Sequence, residues 1–493
     1  MIFLHLGRLN LPRTVLKKLF QMFPDMRCVK CSHMKEKLNS LLQWLEASNN
    51  FYLNESVEIF ETNESGRGAH LCSGRLKTND LITSVPSSHQ LNFHTVIYHI
   101  AKFNTNIVIQ GVTPLTSDSR TNEDFDPLVE NVDPRYKAYS VFDAKLLLSM
   151  SSFQLLSLYI LAEWKLLPLW GNGNFHSFWE PFFDVLPTRA DLRSIPARWL
   201  NEYPPVNVSL INLLPQSCYE NSLRISKLLN DDWRCISPIL EQWKEMFNES
   251  SSPSLADLYQ EFIQIYFIIN SRCLYMELPL KTNPEDNLTM VPFVDFLNHA
   301  PLTETYCYPR IDRMKRNTYG IGSFSIRCGP HEYVQKGEEI FLNYGAHSND
   351  FLINEYGFVL DENRWNCIDI STEVKSMIQI PAHKRFLMEN DYWGDYTITH
   401  EEISFRVLVA LALCSSNDIR KVEKFMMGFL PDDVFKPHLD NLLRIILENV
   451  TAKTKEKIES ILELNDVDAF CQQNVLKIYK GYLCILSHHL GQA

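Results

Sequence analysis

At 493 residues, with 45% hydrophobic and 12% aromatic content, the chain is too long for one ordinary core and apolar enough to bury two or three. Its 47 basic against 59 acidic residues give a net charge of −12, which argues against a primary nucleic-acid binder; it suits an encounter with a basic protein and is equally the mild acidity ordinary among soluble proteins. No apolar run reaches the roughly twenty residues that span a bilayer, so no membrane partner is expected.

The twelve cysteines are scattered, mostly in apolar runs such as those holding Cys273, Cys414 and Cys484, and read as small core residues and reduced, intracellular thiols. Only Cys28 and Cys31 have ligand spacing, and no second pair completes four zinc ligands, so no metal is expected. The Asn-x-Ser/Thr triplets at Asn207, Asn287 and Asn449 are of a kind that arises often by chance.

Residues 1–33 form a basic extension. Met1 to Pro24 carries Arg8, Arg13, Lys17 and Lys18 and no acid, with Val15, Leu16, Leu19, Phe20 and Phe23 at helical spacing. The pattern suits a mitochondrial transit peptide, a plain basic tail, or leader residues ahead of a functional start near Met34. A cytoplasmic location is expected, with a nuclear share open and a mitochondrial one the alternative. Met34 to Ser48 is an amphipathic helix through Leu38, Leu41, Leu42, Trp44 and Leu45. Residues 55–62 alternate towards Ser65-Gly66-Arg67-Gly68-Ala69, a turn built from two glycines, which permit a positive φ or close backbone approach. Alone, such a Gly-x-Gly reads as a hairpin. Leu81 to Pro86 follows. Thr113 to Asp133 is polar and acidic, a surface insertion.

Helical periodicity returns from Ala144 to Trp164. Ser177 to Pro187, Ile195-Pro196 and Leu213 to Pro215 are aromatic and proline-punctuated, the mark of helical scaffold. Leu255 to Leu274 is a long apolar helix carrying Arg272 near its end, where a charge must be paired, reach solvent or complement the helix dipole. Val291 to Ala300 is an apolar run that stops at Asp295, Asn298 and His299. Gly337 to Gly345 alternates as a short strand ending in Tyr344-Gly345, and Tyr356-Gly357 precedes a second apolar strand. Polar groups set where an apolar element ends are typically aimed into a pocket. The remainder is helical, over Ile403–Cys414, Val422–Met427, Leu439–Leu447, Lys455–Leu464 and Asn474–Leu490.

The ordered set Pro292 to His299, Gly337 to Gly345, Ser348-Asn349 and Tyr356-Gly357-Phe358, within about seventy residues, resembles the SET-domain protein methyltransferases. The branch is the one that includes the RuBisCO large-subunit and fungal ribosomal-protein lysine methyltransferases. Its pattern is Pro-x-x-Asp-x-x-Asn-His, Gly-Glu-Glu-(apolar)-x-x-x-Tyr-Gly, Ser-Asn and Tyr-Gly-Phe. The resemblance covers about residues 36–490 and is strongest over 65–86, 177–187 and 270–358. It implies an α+β chain: a SET fold of small β-sheets with a pseudoknot over 34–372, split by a helical insert at about 140–255, then an all-helical substrate-binding domain over 373–493.

The resemblance also implies S-adenosyl-L-methionine as cofactor and a lysine of a ribosomal or other basic cytosolic protein as substrate, acted on by a monomer. Cofactor contacts fall on Ser65, Gly66, Arg67 and Gly68 through the main chain, and on Arg272, Asn298 and His299, with Asp295 bracing the turn and Phe358 stacking nearby. Tyr344 is the catalytic-type tyrosine, beside the cofactor, and Tyr356 lines the same channel. Ala69 stands where the family usually has Leu, and Asn79-Asp80 near a common Gly; neither change removes a chemical group. Methyl transfer needs alignment at near-attack distance and a neutral amine. A free lysine, with a pKa near 10.4, is neutral in about one molecule in a few thousand at pH 7, and an apolar channel beside a sulfonium lowers that pKa. Tyrosine rings wall such a channel while their hydroxyls orient the amine. A protein-histidine methyltransferase and a catalytically silent SET scaffold that binds a partner are the alternatives. Intact Tyr344, Tyr356, Asn298 and His299 favour an enzyme.

Overall fold

The computed structural model describes residues 25–48, 50–62, 66–112, 132–247, 253–300, 306–312, 320–416, 418–436 and 438–492, with backbone alone for 25–33 and 492. The basic segment 1–24, the Cys28 and Cys31 side chains, Ser65 and the acidic stretch 113–131 lie outside the described residues.

The first helix, Asp25–Glu46, starts ahead of the expected Met34 and buries Leu41 and Leu45 completely. Short strands β1 (Tyr52–Leu53), β2 (Val57–Thr62), β3 (Gly66–Leu71) and β4 (Leu81–Val85) follow, then β5 (Leu91–Asn92). Asn92 caps the Phe93–Phe103 helix, accepting from the N–H groups of His94 and Thr95 at 3.0 and 3.1 Å. The glycine turn differs from expectation. Only Gly66 takes a positive φ (72°); Gly68 lies inside β3, paired with Phe60.

The expected single run Ala144–Trp164 breaks at Met150. Ser151 restarts it as Ser152–Ile160 through a capping box, in which Ser151 Oγ accepts from Gln154 N at 3.1 Å and Gln154 Oε1 from Ser151 N at 3.0 Å. A π-helical turn, Leu161–Leu166, continues it and buries Glu163. Gln216–Phe247 is the long helix of the insert, and Leu255–Arg272 follows it. The second stops at Arg272, because Cys273–Tyr275 becomes β6 and pairs with β7 (Leu288–Met290), which in turn pairs with β5.

Strands β8 (Tyr306–Ile311), β9 (Phe324–Arg327) and β10 (Glu339–Leu342) complete a seven-stranded sheet of order β1-β4-β9-β8-β10-β3-β2. Its pairs are antiparallel except β8–β10. Through this order β10, late in the chain, lies beside the early β3. Helix Asn349–Glu355 follows. No strand forms directly after it, over residues 358–366, contrary to the sequence reading. Gly357, at φ 79°, closes the helix with its N–H on Leu352 O (3.1 Å) and Ile353 O (3.2 Å). Asn349 then pins the next loop, donating to Leu360 O at 2.9 Å and accepting from Leu360 N at 3.1 Å.

The C-terminal region is helical apart from one ribbon, β11 (Cys367–Asp369) against β12 (Thr397–Thr399). Its α-helices are Ser371–Met377, Pro381–Glu389, Phe405–Ser415, Ile419–Met426, His438–Leu462 and Ala469–Gln492. The two helices expected over 439–464 are one, since no Gly or Pro interrupts residues 447–455. These helices share a core with Ile353, Ile368, Ile370 and Val374, and with Trp199, Leu210 and Cys218 of the insert. Buried Asp350 joins the parts: it accepts from Tyr482 Oη at 2.5 Å and Ser217 Oγ at 2.6 Å. Among the described residues no helix is long and apolar enough to cross a membrane.

Candidate active site

The apolar run after β7 turns on itself instead of extending. Phe293 takes φ 73°, and Val294 N and Asp295 N both donate to Val291 O, at 3.1 and 3.3 Å. Val291, Phe293, Val294, Phe296 and Leu297 are all buried, which anchors the turn in the core. Asn298 and His299 emerge beside β10, where Leu342 N donates to Asn298 O (2.8 Å) and Ala300 N to Leu342 O (2.6 Å).

Asn298 is oriented by both its amide hydrogens. Nδ2 donates to Glu339 Oε1 at 2.7 Å and to the Arg67 carbonyl at 3.2 Å. Gly68 makes this possible, since a Cβ there would lie 2.3 Å from Glu339 Oε1 and 3.1 Å from Asn298 Nδ2. Sequence reasoning missed Glu339. The available signal was a charged residue inside the alternating Glu339–Leu342 strand, on the face opposite Ile340. Its neighbour Glu338 points elsewhere, to His331 at 2.7 Å. The Arg67 side chain turns away from Asn298, donating to Val185 O of the insert at 2.7 Å and lying 5.5 Å from the Phe296 ring centre. Burial, with Arg272 beside it, lowers its pKa. Arg67 therefore meets Asn298 through its main chain. Gly66 lies at the start of β3, with open space where a Cβ would point.

Arg272 Nη1 donates to the Asp295 carbonyl, so the brace on this turn is a main-chain one. The Asp295 carboxyl is buried, and its Oδ1 has no hydrogen-bond partner among the described residues. Burial raises its pKa, while Arg272 and Arg67 pull it back down.

Four rings gather beside this turn. Tyr344 N donates to His299 Nδ1 at 3.1 Å, so the neutral imidazole carries its proton on Nε2. Burial lowers the His299 pKa to about 4, with His347 adding to the effect. The Tyr344 hydroxyl donates to Leu297 O at 2.9 Å, and burial pushes its pKa up to about 12. Tyr356 caps the Asn349–Glu355 helix, with its ring centre 4.9 Å from that of Tyr344 and 6.0 Å from Phe358. Phe358 is 6.3 Å from Tyr344 and 6.2 Å from His299. Burial raises the Tyr356 pKa as well, so both phenols stay protonated at neutral pH. Gly345, at φ 131°, lets His347 fold back with Nε2 at 3.1 Å from Tyr344 O. The structure thus brings Arg67, Gly68, Arg272, Asp295, Asn298, His299, Tyr344, Tyr356 and Phe358 into one locality, an aromatic box beside a polar cradle.

The model of the family described as "Ribosomal lysine N-methyltransferase 2 C-terminal domain" matches residues 366–492. Ribosomal lysine N-methyltransferase 2 of Saccharomyces cerevisiae is 45% identical over 479 residues, covering 93% of this chain and 99% of that protein. Ribosomal lysine N-methyltransferase set11 of Schizosaccharomyces pombe is 30% identical over 213 residues, 41% of this chain and 51% of that protein. Among solved structures, the SET domain of LSMT bound to lysine and AdoHcy superposes with a TM-score of 0.53 at 16% identity, covering 93% of this chain and 91% of that one. Rubisco LSMT bound to AdoMet gives a TM-score of 0.53 at 17% identity, covering 92% and 91%. These structural likenesses show the SET fold.

Proposed function

We infer the reaction of this site from one premise: the chain belongs to the ribosomal lysine N-methyltransferase 2 family. It is an S-adenosylmethionine-dependent protein-lysine N-methyltransferase with a SET fold. The observation that carries the assignment of roles is the packing of Tyr344, Tyr356, Phe358 and His299 against the cradle of Asn298, Glu339 and Gly68.

The residues present fit the cofactor. Open space lies where a Cβ on Gly66 would point, and Asp295 Oδ1 is a buried carboxylate oxygen without a hydrogen-bond partner among the described residues. Asn298, His299, Arg272 and the main chain around Gly68 would hold it, with Phe358 alongside. When bound, the cofactor supplies a methyl group on a sulfonium whose positive charge also lowers the pKa of a nearby amine. The chain's own residues supply the rest. The rings of Tyr344, Tyr356 and Phe358 exclude water, and desolvation favours the neutral lysine amine. Because the Tyr344 proton is committed to Leu297 O, its oxygen faces the channel as an acceptor and orients an amine N–H. The His299 bond to Tyr344 N fixes the segment just after β10, which carries this oxygen.

The substrate we propose is a lysine of a ribosomal protein in the cytoplasm. The names of the relatives support it, and a net charge of −12 favours encounter with a basic partner. The test is incubation of the purified chain and S-adenosylmethionine with ribosomal proteins from cells lacking it, read by intact mass. Gain of mass in multiples of one methyl group on a lysine is expected; no gain on any ribosomal protein would contradict the reading.

A further inference from the structure

Tyr356 and Phe358 form one side of the aromatic box, and the residue between them has no side chain of its own to hold it. Gly357 sits at φ 79°, with its N–H held by the helix before it and no side chain to fix the peptide beyond. What faces its carbonyl side comes from the insert. The fully buried Ser194 donates its hydroxyl to the Gly357 carbonyl. The point where a Gly357 Cβ would stand is 2.9 Å from Ile195 Cγ1 and 3.1 Å from Ser194 Oγ. The insert is thus pressed against the peptide that joins the two channel residues.

The Ser194 turn is itself held from the far side. The Arg193 carbonyl accepts from Trp199 Nε1 at 2.7 Å and from Cys471 Sγ at 3.3 Å. The Arg193 guanidinium lies 4.4 Å from the Phe470 ring centre, and its Nε is 3.6 Å from Asp468. Phe470 and Cys471 open the Ala469–Gln492 helix, so one three-residue segment connects the C-terminal region to the corner bearing Tyr356.

We propose that Ser194 is a positioning residue for Tyr356: through the Gly357 carbonyl it sets the width of the lysine channel, and so the rate of transfer and the number of methyl groups a lysine accumulates. This rests on the assignment of Tyr344 and Tyr356 to the channel. A lysine that already carries a methyl group needs room for the added carbon, so a wall free to shift by a few tenths of an ångström changes which methylation states can align with the donor. Removing the hydroxyl leaves the Gly357 carbonyl without this donor and lets the peptide rotate, carrying both rings with it. The cofactor cradle is built from other segments: Gly68 of β3, Glu339 of β10 and Asn298 of the turn after β7.

The test uses the full chain, S-adenosylmethionine and ribosomal proteins extracted from cells lacking it. For wild type, Ser194→Ala, Ser194→Thr and Ile195→Val, initial rates, the KM for the protein extract, the cofactor Kd and the distribution of methyl states on the modified lysine are measured. Ser194→Ala should lower kcat about tenfold and shift the distribution of methyl states, with KM and cofactor Kd unchanged. Ser194→Thr, which keeps a hydroxyl on Cβ, should restore both. Ile195→Val thins the packing behind Gly357 without removing a hydrogen bond, so it should shift the methyl distribution in the same sense by less, and it serves as the test if Ser194→Ala does not fold. Unchanged kcat and methyl distribution in a folded Ser194→Ala would overturn the proposal. So would a parallel loss of cofactor affinity, the mark of general damage. A Tyr356→Phe variant with wild-type rate and methyl distribution would overturn the channel assignment instead, leaving the measured effect of Ser194 to stand or fall separately.

Discussion

The main-chain N–H of Tyr344 donates to Nδ1 of His299 at 3.1 Å, across 45 positions of sequence. This bond ties the segment just after β10 to the end of the buried Val291–Leu297 turn, the two segments that carry the aromatic box and the cofactor cradle. It exists only while Nδ1 is unprotonated.

A pH dependence follows. Burial holds the folded-state pKa of His299 at about 4, below the ordinary 6.5, so the unfolded chain binds this proton more readily. The stability from keeping His299 neutral is fully present above about pH 6.5 and is lost as pH falls towards 4. His89 shows the same direction, also to about 4. Thermal melts of wild type and His299→Gln from pH 7.5 to 4.5 should show wild type losing Tm faster on the acid side. Parallel profiles would contradict the neutral, accepting imidazole.

Gly68→Ala should cost cofactor affinity without unfolding the chain. The new methyl group would fall 2.3 Å from Glu339 Oε1 and force that carboxylate off the Asn298 amide. We expect a drop of about tenfold or more, equivalent to about 1.4 kcal/mol or more. Asn298→Ala, which removes the amide outright, should abolish measurable binding. Calorimetry with S-adenosylmethionine reads both, and wild-type affinity in either would contradict the cradle.

Tyr482→Phe should destabilise the whole chain more than its surface share implies. The lost hydroxyl is one of two donors to the buried Asp350 carboxyl, whose pKa burial raises. A cost of about 1–3 kcal/mol is expected, seen as a Tm lower by a few degrees. A variant as stable as wild type would show that this contact between the Asn349–Glu355 helix and the last helix contributes little.

The residues of the site were legible where they lie in continuous motifs. Asn298, His299, Tyr344 and Tyr356 are each within a short patterned run, and the structure gathers those runs. Contacts made across the chain were not legible. Glu339 acquires its partner only because β10 pairs with β3, and Ser194 meets Gly357 over 163 positions. Local geometry misled in one place and was left open in another. The residues after Tyr356 read as strand, yet Gly357 ends a helix there. The apolar Val291–Leu297 run carried no assignment to strand or turn, and a positive φ at Phe293 folds it into a turn. Apolar runs of this length fit a buried turn as well as a strand, and periodicity does not separate them.

The central claim, that the Tyr344 oxygen orients the lysine amine, is tested most directly by Tyr344→Phe. The ring and its packing against Tyr356 are kept, and only the bond to Leu297 O is lost, so stability should fall by roughly 0.5–1.5 kcal/mol. Transfer of tritiated methyl to ribosomal protein should fall by about a hundredfold or more, about 2.7 kcal/mol of barrier, with cofactor affinity unchanged. A Tyr344→Phe variant that transfers methyl as fast as wild type would contradict the account.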